Sequence, residues 1–362
     1  MRTTLSSSLR KSLHAYGDAE DVIVTQRCRQ LEGKLRGKGM VTEYFSLVDA
    51  LAVRLSHREI ARMSARPDVA HMERSERVHA LMDRARGTVG GIPRPNGATG
   101  KGVVIAILDT GIAPGADFDG RVLAFRDFIN GREEPYDDHG HGTMCAGCAA
   151  GNGAQSQGRY QGIAPEAGLV ISKTMDHQGA GGILHVLRGM QWVSDHRWEY
   201  NIRVVSLSLG VEGEDAVDSL MRGVEALWTQ GIVVVAAAGN SGPGEGTVNS
   251  PGRARSILTV GAVDDRLRRP SVASFSSRGP VGDMQKPEVC APGVRLRTVD
   301  NKGPGLFTGT SAATPIVAGA AALLLENHPS WTPDRVKWEM TSKARPIRGE
   351  RHAQGYGCLY LG

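Results

Sequence analysis

The chain has 362 residues, 40% hydrophobic and 22% charged, with 47 glycines and 5% aromatics. That is enough apolar material for a sizeable core, and it excludes a chain disordered by composition. The net charge of +5 sits in the N-terminal quarter: residues 1–95 hold 17 Lys/Arg against 11 Asp/Glu, and the rest 26 against 27, so no nucleic-acid partner is expected for the larger part.

Residues 1–86 carry short β-like stretches, Val22-Ile23-Val24 and Leu51 to Leu55, with Arg- and Glu-bearing helical stretches around them. They predict a small α+β domain. Residues 87–102 are rich in Gly and Pro and predict an exposed linker. From 103 to 362 apolar runs alternate with helical patterns. Val103 to Leu108, Leu169 to Ile171, Val204 to Leu209 and Ile232 to Ala238 are continuous enough for strands buried on both faces. Helices are predicted over His141–Gly151, Gly182–Trp198, Asp215–Gln230, Ser311–Asn327 and Pro333–Ser342. The pattern means an α/β fold, a doubly wound, mostly parallel sheet, in which sites form at the carboxyl ends of strands.

Five cysteines, Cys28, Cys145, Cys148, Cys290 and Cys358, are an odd, scattered set and suit a reducing setting better than a disulfide framework. Cys145 and Cys148 have C-x-x-C spacing, but no second pair accompanies them, and they fall within a helix of small residues. Helix packing is the expectation. No stretch approaches the ~20 apolar residues of a membrane span, so no membrane partner is expected. Met1–Tyr16 shows no apolar run of signal-peptide length. The expected location is the cytoplasm, or outside by a non-classical route.

Acyl-transfer hydrolysis needs a hydroxyl, a base, a carboxylate to orient the base, and donors for an oxyanion. Asp109 ends the first strand of the large region. His141 stands at a loop-to-helix junction in Asp138-His139-Gly140-His141-Gly142-Thr143. Ser311 opens an Ala-rich helix, where a serine is expected to be exposed, with its own N–H toward the site. Asn240, in Ala238-Gly239-Asn240-Ser241-Gly242, offers a side-chain amide. Taken singly, these residues are a turn, a helix cap and loops. Their conjunction, in the order Asp, His, Ser, is what carries the chemistry.

These motifs resemble the subtilisin family from about Gly102 to Leu361. Ile107 to Gly111, His139 to Thr143 and Gly309 to Pro315 resemble the aspartate, histidine and serine motifs, with Ala312 where Met is usual. Ala273 to Pro280 and Pro287 to Gly293 are further landmarks. Pro135-Tyr136-Asp137-Asp138 is most similar to the intracellular AprX-type branch. The resemblance implies a serine endopeptidase with the triad Asp109, His141 and Ser311, and an oxyanion hole of Asn240 and Ser311. It implies that Gly179-Ala180-Gly181 and Ser208-Leu209-Gly210 pair with substrate backbone, and that Ala237, Gly239 and Asn249 border an apolar or tolerant pocket. It implies that polypeptides are the substrates. Residues 20–80 resemble the family's propeptide more loosely, so the chain's own N-terminal domain would be an intramolecular inhibitor until cut. No cofactor is required for the chemistry. Structural calcium is common in such proteins, but Gly151 to Gly158 contains no carboxylate, and no ligands are assigned.

Overall fold

The computed structural model describes residues 3–12, 19–27, 30–36, 40–80, 95–211 and 218–361. In the N-terminal part, β1 (Thr4–Leu5), β2 (Glu20–Gln26), β3 (Val41–Phe45), β4 (Ala50–Leu55) and β5 (Val69–Arg74) form one sheet in the order β1-β5-β2-β4-β3. Helices α1 (Ser7–Ser12), α2 (Gln30–Arg36) and α3 (His57–Ser64) accompany it. Alternation along the strands sorts side chains between two faces. Val22, Val24, Leu51, Val53 and Leu55 join Leu31 and Ile60 in a local core. Ile23, Phe45, Ala50 and Ala52 belong instead to the core of the larger region. Both faces are thus covered, which is why Val22-Ile23-Val24 reads as an unbroken apolar run. A sixth strand, β6 (Arg77–Ala80), leaves this sheet.

The larger region holds an eight-stranded sheet. Its members are β7 (Val104–Asp109), β8 (Val122–Asp127), β9 (Gly168–Lys173), β11 (Ile202–Leu207), β13 (Val233–Ala237), β14 (Leu258–Asp264), β15 (Ser271–Val272) and β16 (Val289–Pro292). The order is β15-β14-β13-β11-β7-β9-β8, with β16 also on β14. Every pairing in it is parallel except β14 with β15. Two short strands, β10 (Ala180–Gly182) and β12 (Leu209–Gly210), stand apart at the rim, and β17 (Leu296–Asp300) pairs with β18 (Gly303–Phe307). Helices α4 (His141–Ala150), α5 (Ile183–His196), α6 (Asp218–Thr229), α7 (Thr310–Asn327) and α8 (Pro333–Lys343) cover the sheet, and α7 packs against α4, β11, β13 and β14.

Two expectations shift. The run Val204 to Leu209 is not one strand: β11 ends at Leu207, so that Leu209 and Gly210 can pair elsewhere. The C-terminal end of the predicted linker is pinned, since Glu326 Oε2 near the end of α7 accepts the N–H of Thr99 (2.7 Å) and of Gly100 (2.6 Å). Residues 87–94 lie outside the described residues.

Candidate active site

Asp109 is the last residue of β7 and is fully buried. Its Oδ1 accepts the Thr110 N–H at 2.7 Å and lies 2.7 Å from His141 Nδ1. His141 is the first residue of α4. The turn before it needs Gly140, whose φ of 100° is left-handed. The residue after His141 must also be glycine, because a Cβ on Gly142 would lie 2.2 Å from the Gly111 carbonyl oxygen. Sequence reasoning quoted Asp137 only as a family landmark, yet its carboxylate organises this loop. It accepts from Thr110 Oγ1 (2.9 Å), His139 N (3.1 Å), Gly140 N (2.7 Å), Thr143 N (2.9 Å) and Thr143 Oγ1 (2.6 Å). Burial pulls this carboxyl's pKa up, but the hydrogen bonds outweigh it and hold the pKa below the ordinary 3.8.

Ser311 is the second residue of α7, and its Oγ lies 3.3 Å from the Ser208 carbonyl oxygen. Pro315 stands four residues later inside the helix. It has no N–H, so the Ser311 carbonyl lacks its helical donor. Ser208 Oγ donates to that carbonyl at 3.0 Å, and the Cys145 thiol lies 3.7 Å from it. Cys145 Sγ is also 3.6 Å from Asp109 Oδ2 and 3.8 Å from His141 Nδ1, the position that i, i+4 spacing on one helix predicts. The Phe307 ring meets the His141 ring edge-on at 5.2 Å.

Asn240 lies three residues past β13. Its Oδ1 is fixed by the Thr310 N–H and Oγ1, both at 3.0 Å. Its Nδ2 is left buried without a partner, as is His141 Nε2. An amide held by its oxygen, with an unused N–H beside a hydroxyl at a helix start, is a donor waiting for an acceptor.

The expected exposure of Ser311 is not found: Asp109, His141 and Ser311 are all 0% exposed. The rim above them is occupied. Strand β6 runs antiparallel between β10 and β12, with Ala180, Gly181 and Gly182 opposite His79, Val78 and Arg77. Leu209 and Gly210 lie opposite Ala80 and His79. Behind β6, Glu73 Oε1 accepts the buried N–H of Ser219 in the first turn of α6 at 2.9 Å. Arg188 of α5 pairs with Glu43 at 2.6 Å, and Gln191 accepts the Leu47 N–H at 2.8 Å.

The family model described as the subtilase family matches residues 100–357. The chain belongs to the subtilase family. It is 45% identical to the serine protease AprX of Bacillus subtilis (strain 168), over 66% of this chain and 60% of AprX. It spans less than two thirds of that relative. Subtilisin E of the same organism is 34% identical, over 89% of this chain and 82% of its own. Among solved structures, fervidolysin from Fervidobacterium pennivorans has a TM-score of 0.77 over 99% of this chain and 62% of its own. At 19% identity that likeness speaks for the fold alone.

In this subtilase the structure brings Asp109, His141, Ser311, Asn240, Ser208 and Gly239 together. Gly239 N donates to Thr310 Oγ1 at 3.2 Å, and a Cβ on Gly239 would lie 2.7 Å from Asn249 Cγ. Ala237 ends β13, just before them. Gly179 turns with a φ of 70° into β10, which holds Ala180 and Gly181. Beside the loop that follows α4, the buried Asp117 accepts the Gln155 N–H at 3.3 Å. Among the described residues, the other close group of potential ligands besides Asp109, His141 and Cys145 is Glu245, Glu350 and His352 on the surface.

Proposed function

We propose that this subtilase is a serine endopeptidase made as a self-processed zymogen, with residues 1–86 as its intramolecular inhibitor. The observation that carries this is β6, which lies between β10 and β12 as an added strand, the way an extended peptide substrate adds to a sheet edge. Ser311 Oγ attacks the carbonyl carbon, and His141 Nε2 takes its proton. Asp109 holds the imidazole by Nδ1 and stabilises the charge that forms on it. The negative oxygen of the tetrahedral intermediate receives Asn240 Nδ2–H and the Ser311 N–H. Collapse expels the amine, which takes the proton from His141 and leaves an acyl-serine that water then cleaves by the same route. The chain's own groups supply every proton step, and no cofactor enters.

The register supports a processing bond. Ala80 faces Leu209, one residue from Ser208, whose carbonyl oxygen lies beside Ser311 Oγ. Self-cleavage is therefore expected between about Ala80 and Gly102. Mass spectrometry of the purified protein tests it: a mature chain beginning within that interval is expected, with none from Ser311→Ala. A mature terminus within residues 20–75, or beyond Val104, would overturn the reading.

A further inference from the structure

All five tryptophans, Trp192, Trp198, Trp228, Trp331 and Trp338, lie toward one end of the larger region. They stand on the C-terminal half of α5 and just beyond it, on the last turn of α6, on the α7–α8 connection, and on α8. This is the end opposite the triad, because Asp109 closes β7 whereas Ile202 and Val233 open β11 and β13. From Ser311 to the far end of α7 the helix measures about 25 Å, at roughly 1.5 Å per residue. Here a cavity of about 240 Å³ opens between Arg197, Trp198, Arg203 and Trp331. Sites that enclose a whole small ligand run from roughly 300 Å³ upward, a little above the volume of this one.

The lining sets two arginines and two tryptophans among uncharged residues. Trp198 is 76% exposed, with the Arg197 guanidinium 5.0 Å from its ring centroid. Arg203 donates to the carbonyls of Pro329 (2.8 Å) and Trp331 (3.1 Å), and Arg197 to that of Ser194 (2.6 Å). Among the described residues neither guanidinium meets a carboxylate, and Arg197 Nε is buried with no partner. Burial lowers the Arg203 pKa, and no acidic neighbour offsets it. Isolated arginines beside an exposed tryptophan are the residue types that anchor protein interfaces. Their unmet charge calls for carboxylates.

We propose that this groove is a second binding site, about 25 Å from the nucleophile, for an acidic segment of polypeptide. A nucleic acid is disfavoured because the region beyond residue 95 carries 26 basic and 27 acidic residues, too even a balance for a polyanion field. The proposal does not depend on the peptidase reading, because binding can be measured on the inactive Ser311→Ala chain. Tryptophan emission of that full-length protein would be titrated with a decapeptide of alternating Glu and Leu, and with its Gln-for-Glu counterpart. The expected result is saturable binding of the Glu peptide, at least about tenfold weaker for the Gln peptide. Arg197→Glu, at a half-buried position, and Trp198→Ala, at an exposed one, should each cost at least about tenfold, and the melting temperature of Trp198→Ala should not fall. Equal binding of the two peptides, or wild-type affinity in Arg197→Glu, would overturn it. So would saturation by a 20-base-pair DNA duplex or by phosphatidylserine vesicles at concentrations where the Glu peptide stays unbound.

Discussion

Asp109 divides its two oxygens between different tasks. Oδ1 orients His141, while Oδ2 faces the Cys145 thiol at 3.6 Å. Burial, and then the Asp109 charge, push that thiol's pKa well above 9.0. It therefore stays a thiol, whose S–H faces Asp109 Oδ2 as a weak donor. Cys145→Ala removes one weak donor, so its turnover should stay within about threefold of the parent. A mercurial that reaches Cys145 would displace the imidazole, and small displacements at a reacting centre are costly. The parent should lose activity slowly in a mercurial and Cys145→Ala should not; equal behaviour would remove Cys145 from any influence on the triad. Ser311→Ala should lower turnover by about 10⁶ and leave the chain whole. If Asn240 is the oxyanion donor proposed above, Asn240→Ala should lose roughly 10²–10³ in kcat with KM little changed, because such an amide meets charge only in the transition state. Unchanged kcat in steady-state assays of a processed enzyme would reduce Asn240 to the partner of Thr310.

At the scale of elements, the loop before α4 depends on Asp137. A carboxyl whose folded pKa lies below its unfolded value stabilises the protein above that unfolded value. The contribution fades as pH falls through the folded pKa, below the ordinary 3.8. Hydrogen bonds to a charged group contribute about 1.5–3 kcal/mol each. Asp137→Asn should therefore lower Tm at pH 7 by roughly 3–12 °C for a chain of this size. The deficit should shrink below about pH 4, and calorimetry across pH 3–7 that found it constant would contradict this account. Glu73 works similarly at the first turn of α6, where a buried N–H and the helix dipole both favour an anion. If residues 1–86 are the inhibitor, Glu73→Ala should shorten the lag before peptide hydrolysis by roughly 5–150-fold. An unchanged lag would show that this cap does not hold the inhibitor. The elements around Asp109, His141 and Ser311 were legible because their neighbours are dictated locally: an apolar run, a glycine turn and an Ala-rich helix. Asp137, Glu73 and Pro315 were not: Asp137 gathers the N–H groups of its own loop in a turn that periodicity does not mark, Glu73 acts on a backbone N–H remote in sequence, and Pro315 acts through one missing from the ladder. The break at Ser208 was hidden for a related reason. Periodicity continues through it, and only a partner strand reveals why β11 must end.

For the whole molecule, the decisive distance lies between Ala80 and Pro95, the described residues on either side of positions 81–94. Ala80 sits at the groove, and Thr99 and Gly100 are fastened to Glu326 at the opposite end of α7. Fifteen residue steps from Ala80 to Pro95 reach at most ~50 Å, twice the ~25 Å that α7 spans, so one chain suffices to deliver its own bond to Ser311. That predicts processing whose rate does not change on tenfold dilution; a rate proportional to protein concentration in a gel time course would mean that neighbours cut one another. If the chain is processed as proposed, the cut has a thermodynamic consequence. Before it, the unbroken chain would keep the inhibitor tethered, at an effective local concentration in the millimolar range typical of short linkers. Afterwards the Glu326 clamp would retain only the catalytic side of the break, and inhibition would become an ordinary two-body equilibrium. Such a cut would alter no contact at first, yet make activity depend on dilution: a concentrated sample would remain silent and a dilute one would awaken.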